Sequence, residues 1–446
     1  MSSTRWLFLN TGLLISAAVC GCGGGDIPAD PVSEASQAPS EKIDVPTPEE
    51  VAAAARPAGV TASIDSPSSA KTADQKTAEK SDAPGTSADG KQTFPDDEAT
   101  KTLREIQQLR IAAVPTDIEQ AKAARKERND RIVEMATRVI TLTMNEEARK
   151  PQFYQAIGQL LEARFQNALV GGKEEADALY ADIQALNDRD PKSIPAAEGV
   201  YYAARFAHTK AGMLGKSQPV WFETLSRWAR EFGDRFPEQQ KRATSLLFGA
   251  ARSCEMHAHA TDDKELSKRL MTECRLCYTA LSEKFPKTEQ GQEAIASLRR
   301  LALPGQPLSQ FSGPTADGGF VSSDEFAGKP TLIYFWDSES DEFTEEVLPA
   351  IAKIRTQLPP ERLRMVGVAL DEEEAAMNSY MEQHDVPGQQ IFFTNAEQRS
   401  WNSPLIRFWG IAESPSIWIV DNKGVVLSTS AKVDELVPLL QQALKK

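Results

Sequence analysis

The sequence predicts an α+β multidomain chain: a disordered N-terminal tether, an all-α helical domain and a C-terminal α/β domain. Three observations carry this. From Asp26 to about Phe94 the chain is mostly Ala, Pro, Ser, Thr, Asp and Lys. From about Pro95 to Ala302 apolar residues recur near the 3.6-residue helical period. Beyond Leu303-Pro304-Gly305, short wholly apolar runs alternate with helical ones. The expected boundaries are residues 1–22 for an export signal, 23–94 for the tether, 95–302 for the helical domain and 303–446 for the α/β domain. A length of 446 residues suits about three segments of domain size. The net charge of -14 argues against nucleic acid, whose phosphates require clustered Lys and Arg. Ordinary solubility accounts for that charge, and recognition of a basic partner is its functional reading.

Arg5 precedes an apolar run from Trp6 to Val19, interrupted only by Asn10, Thr11, Gly12 and Ser16. The run is too short to span a bilayer and has the layout of a secretory h-region. It ends in Val19-Cys-Gly-Cys-Gly-Gly-Gly25. A small residue before a cysteine, followed by a Gly-rich stretch, resembles the lipobox of bacterial lipoproteins. Cys22 fits better than Cys20, because Gly21 precedes it whereas bulky Val19 precedes Cys20. The resemblance implies lipidation of Cys22, which becomes the new N-terminus, with acyl chains anchoring the protein to a membrane of the cell envelope. A cleaved soluble signal peptide is the plainer reading. The 23–94 segment has too little apolar surface to offset its ordering entropy, so it is expected to be a flexible tether. As a coil of about 70 residues, it would hold the folded part about 50 Å from the membrane.

In the helical region Leu160, Leu161, Ala163, Phe165 and Leu169 mark one apolar stripe, and Trp221, Leu225, Trp228, Ala229 and Phe232 another. Pro191, Pro237 and Pro286 punctuate it, each following a helix that it cannot continue. Leu281-Ser-Glu-Lys-Phe-Pro-Lys-Thr-Glu-Gln-Gly-Gln-Glu-Ala294 resembles the link between helical hairpins of tetratricopeptide-like arrays, although its spacing exceeds that repeat. The resemblance implies a scaffold, in its functional version a groove for a partner protein.

Cys254, His257, Cys274 and Cys277 follow a zinc-like pattern on paper. A hairpin loop near His259 to Asp263, with Asp262 or Asp263 capping the second helix, sets the two pairs out of line by about 9 Å. Free buried thiols are therefore expected, with a disulfide as the other reading and no metal or other cofactor.

In the C-terminal region Thr331–Trp336 and Leu363–Leu370 read as buried strands, each followed by a helical pattern. Ile391–Phe393 is a short strand. Ser416–Val420 and Val425–Leu427 flank the turn signal Asp421-Asn-Lys-Gly424, and a last amphipathic helix runs from Val433 to Leu444. This order gives a mixed sheet covered by helices.

Four stretches together resemble the thioredoxin fold, in particular the TlpA/ResA-like thiol-disulfide oxidoreductases and related redoxins. They are Asp317–Lys329, Phe335-Trp336, Val366–Asp371 and Phe408–Gly424. In that family Phe-Trp leads into a Cys-x-x-Cys at a helix start, whose first thiolate attacks a disulfide and whose second resolves the intermediate. Counting forward from Phe335-Trp336 puts the two positions at Ser340 and Phe343. Counting back from Pro349, the family's helix proline, puts them at Asp341 and Thr344. Neither register holds a cysteine, and Tyr334 stands where thioredoxins often have a buried Asp. The resemblance thus implies a redox-silent domain with no catalytic residues. It also implies a cis bond at Pro415, where Ser414 and Pro415 form either a peptide-docking edge or a purely structural turn.

The acidic run Asp337–Glu346 lacks the glycine and the terminal Glu of a calcium loop, so helix capping by Ser338 or Ser340 is the expected role. The function expected is protein binding or scaffolding with envelope proteins or extended peptides. The alternative is an oxidoreductase using Cys274 and Cys277.

Overall fold

The computed structural model describes residues 97–445. The expected export signal, the expected lipidation residue Cys22 and the expected tether lie outside the described residues. The described chain divides into two compact units, 97–209 and 210–445.

The first unit contains helices α1 (Glu98–Ile111), α2 (Ile118–Thr143), α3 (Lys150–Val170), α4 (Lys173–Arg189) and most of α5 (Ile194–Leu214). Asp97 and Asp117 accept the exposed N–H groups at the starts of α1 and α2. The apolar stripes pack Leu103 and Ile106 of α1, Ile132 and Val139 of α2, and Leu160 of α3 into one cluster.

The second unit begins with α6 (Val220–Arg235), α7 (Gln240–Ala260), α8 (Lys264–Lys284) and α9 (Glu289–Leu301). Helices end at Arg189, Arg235 and Lys284, as Pro191, Pro237 and Pro286 require. The α7–α8 loop is the one the sequence indicated, with Asp263 accepting from the N–H groups of Glu265 and Leu266. No helix among the described residues is long and apolar enough to cross a membrane.

The α/β part opens with a hairpin of β1 (Ser312–Pro314) and β2 (Phe320–Ser322), followed by β3 (Thr331–Trp336), α10 (Leu348–Gln357) and β4 (Arg364–Ala369). Then come α11 (Glu374–Gln383), β5 (Gln389–Ile391), α12 (Pro404–Trp409), β6 (Ser416–Val420), β7 (Val426–Ser428) and α13 (Leu436–Lys445). The sheet order is β5-β4-β3-β6-β7; β3, β4 and β5 are parallel, whereas β6 and β7 are antiparallel to their neighbours.

All six residues of β3 are buried. Leu332, Tyr334 and Trp336 join a core with Ile351 of α10, Tyr380 of α11 and Leu440 of α13. Ile333 and Phe335 face the opposite way and join Phe311, Trp418 and Trp409 of α12. A strand covered on both faces reads as a continuous apolar run, as this one does. Both sheet edges are occupied. Gly305, Gln306 and Leu308 hydrogen-bond with Val426 and Gly424 beside β7, while Thr315 bridges to Ile391 of β5.

The α/β part is keyed to the helices before it. Arg300 of α9 donates through Nε to the Gly410 carbonyl at 3.0 Å and through a terminal nitrogen to Glu255 of α7 at 2.5 Å. Tyr278 donates to the other Glu255 oxygen at 2.8 Å. Burial alone would raise the Glu255 carboxyl, but Arg300 and Arg252 overcome it and hold it at about 2. Gly410 has φ +59°, and a Cβ there would lie 2.5 Å from the Ser297 backbone nitrogen. Only glycine permits this approach. Lys432 reaches Asp262 at the α7–α8 tip at 2.9 Å, and His259 lies 3.2 Å from Glu413.

Candidate functional site

The candidate site lies where β3 and β4 end and β6 begins. β3 and β4 are parallel, so Asp337 and Asp371 leave the sheet at the same end. β6 runs antiparallel with Ser416 opposite Phe335, which brings Ser414 and Pro415 to that end as well. The carboxyl ends of parallel strands are where open α/β sheets place their ligands.

Ser340 caps the helix that follows β3, its Oγ accepting from the Phe343 N–H at 3.1 Å. Ser338, the other capping candidate, instead donates its N–H (3.1 Å) and hydroxyl (2.5 Å) to Asp371 Oδ1. The first helical turns form a π-helix over Phe343–Val347, in which the Leu348 N–H donates to the Phe343 carbonyl. A π turn holds one residue more than the α turn it replaces. That extra residue is the difference between the two counts, forward to Ser340 and Phe343 and backward to Asp341 and Thr344.

Phe343 is fully buried. Its ring stacks on Trp336 at 5.1 Å and on Tyr334 at 5.9 Å between centroids. Asp341 is exposed, and the Thr344 hydroxyl pairs with the Tyr380 hydroxyl at 2.7 Å. Tyr334 donates to the Pro387 carbonyl and accepts from Gln390 at 2.8 Å. Burial pushes its phenol up despite the Gln390 hydrogen bond, so it stays neutral. Oxygen, aromatic carbon and neutral phenol fill the region, and none of them can serve as a thiolate or its resolving partner.

The Ser414–Pro415 peptide bond is cis. The Ser414 hydroxyl donates to Asp337 Oδ2 at 2.9 Å. Burial raises the Asp337 carboxyl, against the hydrogen bonds from Ser414 and the Glu339 backbone. Burial likewise raises Asp371, against the two bonds from Ser338, and repulsion from Asp337 adds to the rise. The structure therefore brings Asp337, Ser338, Asp371 and Ser414 together. In the sequence Asp371 stands only as the end of the motif Val366–Asp371; an acid directly after a buried apolar run is its available signal. Asp337 accepts from Ser414, and no group of three or more His, Cys, Asp or Glu side chains among the described residues could hold a metal.

Cys254, Cys274 and Cys277 are free and fully buried. Burial drives all three thiols upward, Cys277 to about 11 and the other two further. Cys277 lies 3.1 Å from the Ser226 hydroxyl, and His257 packs on the Phe222 ring with centroids 4.4 Å apart.

The sequence model of the AhpC/TSA family matches residues 304–428. This part of the chain is a thioredoxin-like redoxin domain. Three solved structures illustrate the similarity. A secreted disulfide oxidoreductase from Mycobacterium tuberculosis is 16% identical, covering 30% of this chain and 96% of its own, with a TM-score of 0.25. A thiol:disulfide interchange protein from Chlorobium tepidum is 22% identical over 31% of this chain and 95% of its own, with a TM-score of 0.26. The thioredoxin domain of a thiol-disulfide oxidoreductase from Bacteroides vulgatus is 20% identical over 32% of this chain and 97% of its own, with a TM-score of 0.29. No curated protein matches the chain.

Proposed function

We propose that this chain is an exported lipoprotein, tethered through Cys22, whose thioredoxin-like domain performs no thiol redox chemistry and binds or organises other envelope proteins. One observation carries the loss of chemistry: Ser340 is spent as a helix cap, and Phe343 is sealed in the core between Trp336 and Tyr334. A serine hydroxyl is far too weakly acidic to replace a thiolate, and a phenyl ring has no resolving chemistry. The covered sheet edges leave the loop around Ser414 and Pro415 as the docking edge for an extended peptide. The oxidoreductase alternative needs Cys274 and Cys277 exposed and acidic, whereas both are buried with their thiols pushed up.

The test is reduction of insulin disulfides by the full chain in the presence of dithiothreitol. The expected rate equals that of dithiothreitol alone. A rate comparable with that of a family member retaining its dithiol overturns the proposal. Replacing Cys274 and Cys277 by serine should leave any measured rate unchanged.

A further inference from the structure

Asp371 is only 6% exposed, and its two oxygens differ sharply. Oδ1 takes both Ser338 donors, whereas Oδ2 is buried and has no hydrogen-bond partner. An unpaired buried carboxylate oxygen is costly whether ionised or protonated, since it then lacks either a donor or an acceptor. A second carboxylate, Asp337, directly precedes Ser338 in the chain and repels Asp371, and no positively charged side chain pairs with either acid among the ion pairs of the described residues. The surroundings add more negative charge: Glu339, Asp341 and Glu342 are exposed just beyond Asp337, and Glu413 just before Ser414. Two carboxylates are too few for a calcium or zinc shell, but they suit a planar cation with several N–H donors.

We propose that the Asp337–Asp371 pair receives the guanidinium of an arginine side chain carried by a partner peptide at the Ser414–Pro415 edge. This deepens the protein-binding reading and rests on it. The guanidinium donates to the empty Asp371 Oδ2 and to Asp337, while neutralising the repulsion between the two acids. Because Oδ2 is sealed in the unliganded chain, entry requires a neighbour to move. Half-buried Asp337, held by the neutral Ser414 hydroxyl and the Glu339 N–H, is the side chain placed to do so.

The first arm of the test omits any peptide. Methylguanidinium is titrated against the full chain at constant ionic strength while thermal stability is followed, with tetramethylammonium as a cation lacking N–H donors. A saturable rise with methylguanidinium alone, lost in both Asp371→Asn and Asp337→Asn, supports the site. Asparagine keeps the acceptor used by Ser338 or Ser414, so these variants retain the local hydrogen bonds. Equal behaviour of the two cations, or a rise that survives in both variants, overturns the site. A rise of equal size with calcium chloride at the same or lower concentration makes the pocket a metal site and overturns the assignment too.

The second arm compares an extended arginine-containing peptide with its citrulline counterpart. The arginine peptide should bind at least about tenfold more tightly, the scale of a hydrogen bond to a charged group, and Asp371→Asn should erase the difference. Stabilisation by methylguanidinium without binding of either peptide would uphold the cation site and remove the peptide-binding reading.

Discussion

At the position of a resolving thiol, Phe343 presses its ring against Trp336 and Tyr334 and closes the core. Truncation to alanine removes both stacks and leaves a cavity, so Phe343→Ala should cost about 3–5 kcal/mol in urea-induced unfolding. Glu255 provides a second residue-level test. Its folded value of about 2 lies below the ordinary carboxylate range. A depressed carboxylate stabilises fully above its unfolded pKa of about 4.3 and loses that contribution as pH falls towards the folded value. Unfolding free energy should therefore decline between about pH 4.5 and pH 2, and more shallowly in Glu255→Gln. The missing cysteines were legible from sequence because absence at a counted position needs no geometry. The Asp371–Ser338 pair was not, since it depends on two strands ending side by side.

Elements were legible where the pattern was long or punctuated. β3 and β6 emerge with the limits read from their apolar runs, and Pro191, Pro237 and Pro286 mark helix ends. The three-residue strands β1 and β2 and the six-residue α12 are too short to show a period, so tertiary contacts alone define them. The π turn at Phe343–Val347 is also invisible in sequence, yet it accounts for the two counts that differed by one residue. The closest backbone approach of α9 to the end of α12 requires a glycine at position 410. Gly410→Ala forces a left-handed φ on alanine, costing about 1–2 kcal/mol, and drives Cβ into the Ser297 backbone. The melting temperature should fall, and protease cleavage in the 302–311 connection should accelerate relative to the parent chain.

Across the second unit, the redoxin domain and the helices before it share polar keys: Arg300 on Gly410, Arg299 over the Phe408 ring at 3.9 Å, and Lys432 on Asp262. A fragment of residues 303–446 loses all three and exposes the surface of α12 that Arg299 and Arg300 cover. It should unfold at lower urea than a 210–446 fragment and bind a hydrophobic dye that the longer fragment excludes. Equal midpoints would show that the keys add nothing to stability. The same Arg300 contact bears on how the chain matures during synthesis. Arg300 finds its carbonyl partner at Gly410, 110 residues later. As a growing chain emerges from its N-terminal side, α7 to α9 come first with this guanidinium only partly satisfied. The helices stay provisional until Gly410 arrives, so a chain truncated before it should be cleared by proteases rather than persist as a folded half.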